Sequence, residues 1–177
     1  MTPGPGERGF TLVELMIVVV IIGVLAAIAI PVLLRARAAS LESSAIGTLR
    51  AISTSVATYA SSCGAGGYAQ TLADLSKPAN GSNQLFISLD VAANGVVKSG
   101  YILNVQPDSG SMTVTVAAAT CNTASLDAVS AYFAEAHPAA SGATGNRSFA
   151  TDVRGSLYWN PTGLTISSGM GGATPLQ

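Results

Sequence analysis

Charge is what this sequence has least of. Only 10% of its 177 residues are Asp, Glu, Lys or Arg, against about 25% in an average soluble chain. The 8 basic and 9 acidic residues leave a net charge of −1, and no run of Lys or Arg occurs. A basic groove for nucleic acid is therefore not expected. One histidine, His137, and two cysteines, Cys63 and Cys121, without C-x-x-C spacing exclude the common zinc arrangements. Aromatic residues make up 6% of the chain, too few on any one helix for an aromatic electron path. GxSxG, P-loop, HExxH and EF-hand signatures are all missing. Asp90, Asp108, Asp127 and Asp152 stand isolated, and His137, beside Pro138, has no acid or nucleophile partner in view. No cofactor, no metal and no enzymatic activity are expected.

The scarcity of charge is uneven. From Leu15 to Leu34 there are twenty residues without a single charge. At 1.5 Å per residue such a helix spans about 30 Å, the hydrocarbon thickness of a bilayer. Arg35 and Arg37 follow at once, and a carboxylate, Glu14, sits in the leading edge. A carboxylate in lipid costs on the order of 2–4 kcal/mol, so its position calls for a reason. A cleaved secretory signal offers none. Its apolar run is shorter, and Arg35 and Arg37 would crowd the cleavage-like Ala36-Arg37-Ala38. A plain signal anchor explains the apolar run but neither Glu14 nor the Gly9-Phe10 junction.

That junction carries a resemblance. Gly9-Phe10-Thr11-Leu12-Val13-Glu14-Leu15, behind the polar leader Met1–Gly9 and continuing through the apolar run to Ala26-Ala27-Ile28-Ala29-Ile30-Pro31, resembles the class III signal of type IV pilins and pseudopilins. It covers about the first sixty residues. The resemblance implies that a membrane prepilin peptidase cuts between Gly9 and Phe10 and N-methylates the new terminal Phe10. The apolar run would then stay as membrane anchor and assembly element. Glycine at the junction lets the backbone approach a peptidase site closely. The cut also creates an ammonium at the depth of Glu14. Pairing the two lowers the cost of a carboxylate in lipid, and an amine from a neighbouring subunit would set the stagger between helices, a register device. The alternative is a Glu14 that snorkels to the headgroups.

Beyond Pro31 a helical stripe continues through Leu34, Ala38, Leu41, Ala45, Leu49, Ile52, Val56, Tyr59 and Cys63, at spacings of three and four. Arg35, Glu42, Ser43, Arg50 and Thr54 are assigned to the opposite, polar face. Gly23 and Pro31 are helix breakers: Gly lowers helix stability by roughly 1 kcal/mol, and Pro removes a donor and bends the helix. A fixed kink and a segment able to unwind in a filament stand as equal readings. The glycine-rich Cys63-Gly64-Ala65-Gly66-Gly67 ends the helix.

After that stop the patterns are short. A helical turn falls within Tyr68–Leu75 and a loop over Lys77–Asn83. Strands at Gly100–Val105 and Met112–Val116 flank the turn Pro107-Asp108-Ser109-Gly110 and read as a hairpin. Ser130–His137 reads as β, and Arg147–Thr151 with Ser156–Trp159 as a second hairpin around Asp152-Val153-Arg154-Gly155. Ser167–Gln177 is expected to be loosely ordered. In an exported head Cys63 and Cys121 form a disulfide; otherwise they are two unrelated buried thiols. Asn80-Gly81-Ser82 and Asn146-Arg147-Ser148 match the glycosylation acceptor pattern.

The expected fold is α+β: a long N-terminal helix, its first half membrane-anchoring, packed on an antiparallel sheet of about four strands, as in the type IV pilin fold. Residues 1–9 are the leader, 10–63 the long helix and 64–177 the globular head. The implied function is a structural subunit polymerising into a helical type IV pilus filament, for adhesion, motility or DNA uptake. Its partners would be copies of itself, the prepilin peptidase and the pilus assembly machinery. It would pass once through the inner membrane before assembly and lie outside the cell afterwards. A pseudopilin of a type II secretion system is the alternative. Against it, no calcium loop is evident, and the sole tryptophan, Trp159, is followed by Asn160-Pro161 rather than the Trp-Gly-x-Pro-Tyr-like stretch of the major pseudopilins.

Overall fold

A computed structural model describes residues 10–176. Helix α1, Leu12–Ser62, is 51 residues long and passes without interruption through Gly23 and Pro31. The chain forms two compact units, the first ending at Arg37 and the second beginning at Ala38.

In the first unit α1 buries almost nothing. Every large apolar side chain from Phe10 to Leu34 is about half exposed or more. The stretch is apolar on all sides, which suits a helix surrounded by lipid or by other helices.

In the second unit α1 is one-sided. Ala45, Leu49, Ile52, Val56, Tyr59 and Cys63 are buried in one cluster with the sheet side chains Tyr101, Leu103, Val105, Tyr132, Ala134, Ala136 and Phe149. The helix ends at the glycine-rich stop: the amide of Gly64 bonds the carbonyl of Tyr59 at 2.9 Å and that of Gly66 bonds Ala60 at 2.8 Å. A Cβ on Gly64 would meet the Gly67 carbonyl at 2.1 Å and the Tyr59 ring at 2.9 Å, so this turn requires glycine. A short helix, α2 (Leu72–Leu75), follows; the Thr71 hydroxyl accepts from the Asp74 amide and caps it.

Among the described residues eight strands follow: β1 Val96–Lys98, β2 Tyr101–Pro107, β3 Thr113–Thr115, β4 Ala128–Val129, β5 Tyr132–Pro138, β6 Ser148–Asp152, β7 Leu157–Asn160 and β8 Thr174–Pro175. Six form one sheet in the order β1-β2-β5-β6-β7-β8, and β3 with β4 forms a separate pair. All pairings are antiparallel. The α+β class is as expected, with a wider sheet than the four strands anticipated.

The first anticipated hairpin does not form. A turn forms one residue later than anticipated, over Asp108–Ser111, with the Ser111 amide donating to the Asp108 carbonyl at 3.1 Å. But β2 pairs with β1 and β5, and β3 pairs with β4. β2 puts Tyr101, Leu103 and Val105 into the core, whereas Met112, Val114 and Val116 are all exposed and have no buried face to offer β2. The second hairpin forms as read: β6 pairs with β7, Thr151 opposite Leu157, and Gly155 closes the turn on the Asp152 carbonyl at 2.9 Å.

Residues 167–176 of the tail are also ordered, contrary to expectation, together with Ile166 just before them. Ile166 and Met170 are buried with Phe133 and Ala150 in a second apolar cluster, on the sheet face opposite the one that meets α1. β8 extends the sheet beyond β7. Two polar bonds hold the strap between them. Ser148 Oγ donates to the Leu164 carbonyl at 2.6 Å, and the Gly169 amide donates to Asp108 Oδ1 at 3.0 Å. β5 and β6 are consequently covered on both faces, which erases the alternation a one-sided strand would show.

Candidate functional site

Three constellations carry what functional geometry the chain has. The first is the start of α1. Thr11 precedes the helix, and its hydroxyl accepts from the Glu14 amide at 3.2 Å. Glu14 Oε2 in return accepts from the Thr11 amide at 3.0 Å and the Thr11 hydroxyl at 2.9 Å. This is a reciprocal capping box that satisfies two amides no helical carbonyl can reach. The Thr-x-x-Glu spacing before an apolar run is a readable sign of it, and Thr11 is the residue missed by weighing Glu14 alone. Glu14 Oε1 has no partner among the described residues, and Phe10 beside it is 82% exposed. Gly9, the other half of the expected cleavage junction, lies outside the described residues.

The second constellation corrects the face assigned to Glu42. Counting back from the buried stripe, 63, 59, 56, 52, 49, 45, the next position at that spacing is 42. Glu42 is indeed buried, 6% exposed. Its Oε2 accepts from Arg147 Nε at 2.8 Å and Nη2 at 2.6 Å, and Oε1 from the Asn146 amide at 3.0 Å. The Arg147 guanidinium lies 5.7 Å from the Phe149 ring centre and 5.5 Å from that of Trp159. Its carbonyl accepts the Tyr101 hydroxyl at 2.9 Å. Burial, and then the Glu42 charge, push the Tyr101 phenol well above the usual tyrosine range. A charge buried in this way is tolerated because it is paired and fully hydrogen-bonded.

The third lies on β5. Glu135 and His137, two apart, share a strand face; His137 Nδ1 is 3.0 Å from Glu135 Oε2, and Asn104 Nδ2 donates to Glu135 Oε1 at 2.6 Å. His137 thus does have an acid partner, which the two-residue strand period supplies. Asp90 and Asp152 are not isolated either. Lys98 Nζ is 2.7 Å from Asp90 Oδ2, Arg154 Nε donates to Asp152 Oδ2 at 2.7 Å, and Asp127 Oδ1 accepts from the Ala117 amide at 2.8 Å. The Lys98 and Ser88 hydrogen bonds hold the Asp90 carboxyl below its ordinary range.

Cys63 and Cys121 form a disulfide closing a separation of 58 residues, which stabilises by about 4 kcal/mol in the chain-entropy model. Of the two acceptor sequences, Asn146-Arg147-Ser148 has its serine fully buried, whereas Asn80-Gly81-Ser82 is exposed throughout. Among the described residues no three His, Cys, Asp or Glu side chains converge on one point.

These features define a class: an α+β protein whose long N-terminal helix exposes an apolar, membrane-length first half and packs its second half on an antiparallel sheet. Residues 5–30 match the prokaryotic N-terminal methylation motif. The chain is also 58% identical over 50 residues to the type IV major pilin protein PilA of Myxococcus xanthus (strain DK1622). That match covers 28% of this chain and 23% of the relative, so less than a quarter of its length is spanned. No solved structure matches. The methylation motif and this partial similarity liken the chain to the type IV pilins.

Proposed function

We propose that this protein is a structural subunit of a type IV pilus. It would be held in the inner membrane by α1, processed between Gly9 and Phe10, N-methylated at Phe10, and drawn by the assembly machinery into a helical homopolymer outside the cell. The observation that carries the proposal is the run Leu15–Leu34 of α1: apolar on every side, its large side chains about half exposed or more, and headed by a single carboxylate, Glu14. In a filament the neighbours' helices replace lipid around this surface. The terminal ammonium of a processed Phe10 on an adjacent subunit then supplies the partner for Glu14 Oε1, setting the stagger. No catalytic step is assigned to the chain. Gly23 and Pro31 lower helix stability in the first unit of α1, and unwinding under load would begin there. Adhesion, motility and DNA uptake are all compatible roles.

The test is mass spectrometry on filaments sheared from the cell surface. An N-terminal peptide that begins at methylated Phe10 and dominates the fraction supports the pilus subunit. A chain absent from filaments and retained in the membrane moves the secretion pseudopilin ahead.

A further inference from the structure

Two Asn-Gly pairs occur in the chain, Asn80-Gly81 and Asn94-Gly95. Both asparagines are exposed, yet their surroundings are opposite. The Asn94 side chain is locked at both ends: its Oδ1 accepts from the Leu72 and Val105 amides at 3.1 and 3.2 Å, and its Nδ2 donates to the Val105 carbonyl at 2.7 Å. The Gly95 amide is engaged as well, with the Leu103 carbonyl at 2.8 Å and Asn104 Oδ1 at 2.9 Å. Asn80 sits in a turn closed by Ser82 donating to the Ala79 carbonyl at 2.9 Å. Among the described residues its side chain has only Thr123 Oγ1, at 3.5 Å in either sense. The Gly81 amide finds no acceptor among the described residues, and a Cβ built on Gly81 would meet nothing within 4 Å.

From this contrast we propose that Asn80-Gly81 is a self-modifying site, at which the folded chain deamidates to aspartate and isoaspartate, while Asn94-Gly95 is protected. The backbone nitrogen of Gly81, giving up its proton to water or hydroxide, attacks Asn80 Cγ. A C–N bond forms, the Cγ–Nδ2 bond breaks, and Nδ2 leaves as ammonia. Water then opens the five-membered imide at either carbonyl. The net change is one amide and one water to one carboxylic acid and ammonia, with nothing oxidised or reduced. The reaction needs a free glycine amide, no side chain at the following residue, and a loosely held carboxamide; only the first pair has all three, its carboxamide contacts lying at 3.5 Å. Each event takes the net charge from −1 to −2, starting from the sequence value. In the isoaspartyl product it also adds a methylene to a turn whose Asn80 amide is bound to the Cys121 carbonyl at 2.8 Å. A subunit that is not turned over would thus carry a chemical record of its age on one surface turn.

The experiment is peptide mapping of the full-length chain, purified in detergent with its disulfide intact and incubated in mildly alkaline buffer. A parallel sample is incubated unfolded in denaturant. In the folded sample the Asn80 peptide should acquire the mass of an acid and split into two isomers, faster as pH rises, while the Asn94 peptide keeps its amide. In denaturant both should convert, because the two dipeptides are the same once the fold is gone. Asn80→Gln should hold the folded charge constant, since its ring closure is six-membered and slow. The proposal is overturned if Asn80 keeps its amide or is found carrying a glycan in the folded chain. It is equally overturned if Asn94 converts as fast as Asn80 in the folded chain.

Discussion

Replacing Arg147 by Met tests the buried ion pair at Glu42 most directly. The substitution keeps an unbranched apolar stem over Phe149 and Trp159 but leaves the Glu42 carboxylate, whose side chain is 8% exposed, with only the Asn146 amide as donor. Breaking a buried pair by removing one partner costs about 3–5 kcal/mol. The reverse change, Glu42→Met, strands a guanidinium that is 40% exposed and can reach water; it should cost less, about 1–3 kcal/mol for the lost charged hydrogen bonds. With both partners replaced, no unpaired charge remains, and such double replacements are often neutral or better. The double variant should therefore lie above the Arg147→Met single, with a coupling of about 1–3 kcal/mol between the sites. Trp159 is the sole tryptophan and lies beside Arg147, so its fluorescence through a denaturant titration of the disulfide-intact chain reads the second unit. A double variant as unstable as Arg147→Met, or equal costs for the two singles, would refute the assignment of Glu42 as a buried charge held by Arg147.

Other expected outcomes follow from the same geometry. Glu14→Ala should leave processing and membrane insertion intact and abolish incorporation into filaments; normal filaments would sink the proposed register role. Reducing the disulfide, or Cys63→Ala with Cys121→Ala, should lower stability by about 4 kcal/mol, seen as a fall in denaturation midpoint that reductant does not deepen in the double variant. Ile166→Ala should cost about 2–5 kcal/mol and raise proteolytic cutting of the strap between β7 and β8; an unchanged cutting pattern would mean the strap is held without it. Above the ordinary tyrosine value of 10.0 an unfolded Tyr101 ionises while the folded one does not. The stability it contributes is thus full below that pH and is lost as pH rises beyond it. Tyr101→Phe should shift alkaline unfolding to higher pH while costing about 1 kcal/mol at neutral pH for the lost bond to Arg147.

Local order in the chain settled a good deal. The uncharged run from Leu15 to Leu34 makes a helix that is apolar all round, and its large side chains stay about half exposed or more. The three-and-four spacing from Ala45 to Cys63 chose the face that packs, and the glycines after Cys63 ended the helix where they stand. Asp152-Val153-Arg154-Gly155 closed its hairpin because its two strands are neighbours in both sequence and space. Each of these depends on residues a few positions apart. Tertiary structure decided the rest. Whether Tyr101–Pro107 pairs with the next strand or with one much later depends on which partner has an apolar face to bury, and the turn between them is equally good either way. The tail carries too few apolar residues to call for order, yet Ile166 and Met170 suffice once Phe133 and Ala150 present a sheet face that would otherwise lie open. Glu42 stands on the apolar stripe by spacing, but a carboxylate is stable there only because Arg147, far away in sequence, is brought beside it. Burial and pairing of that kind are properties of two distant segments at once, and no local pattern encodes both.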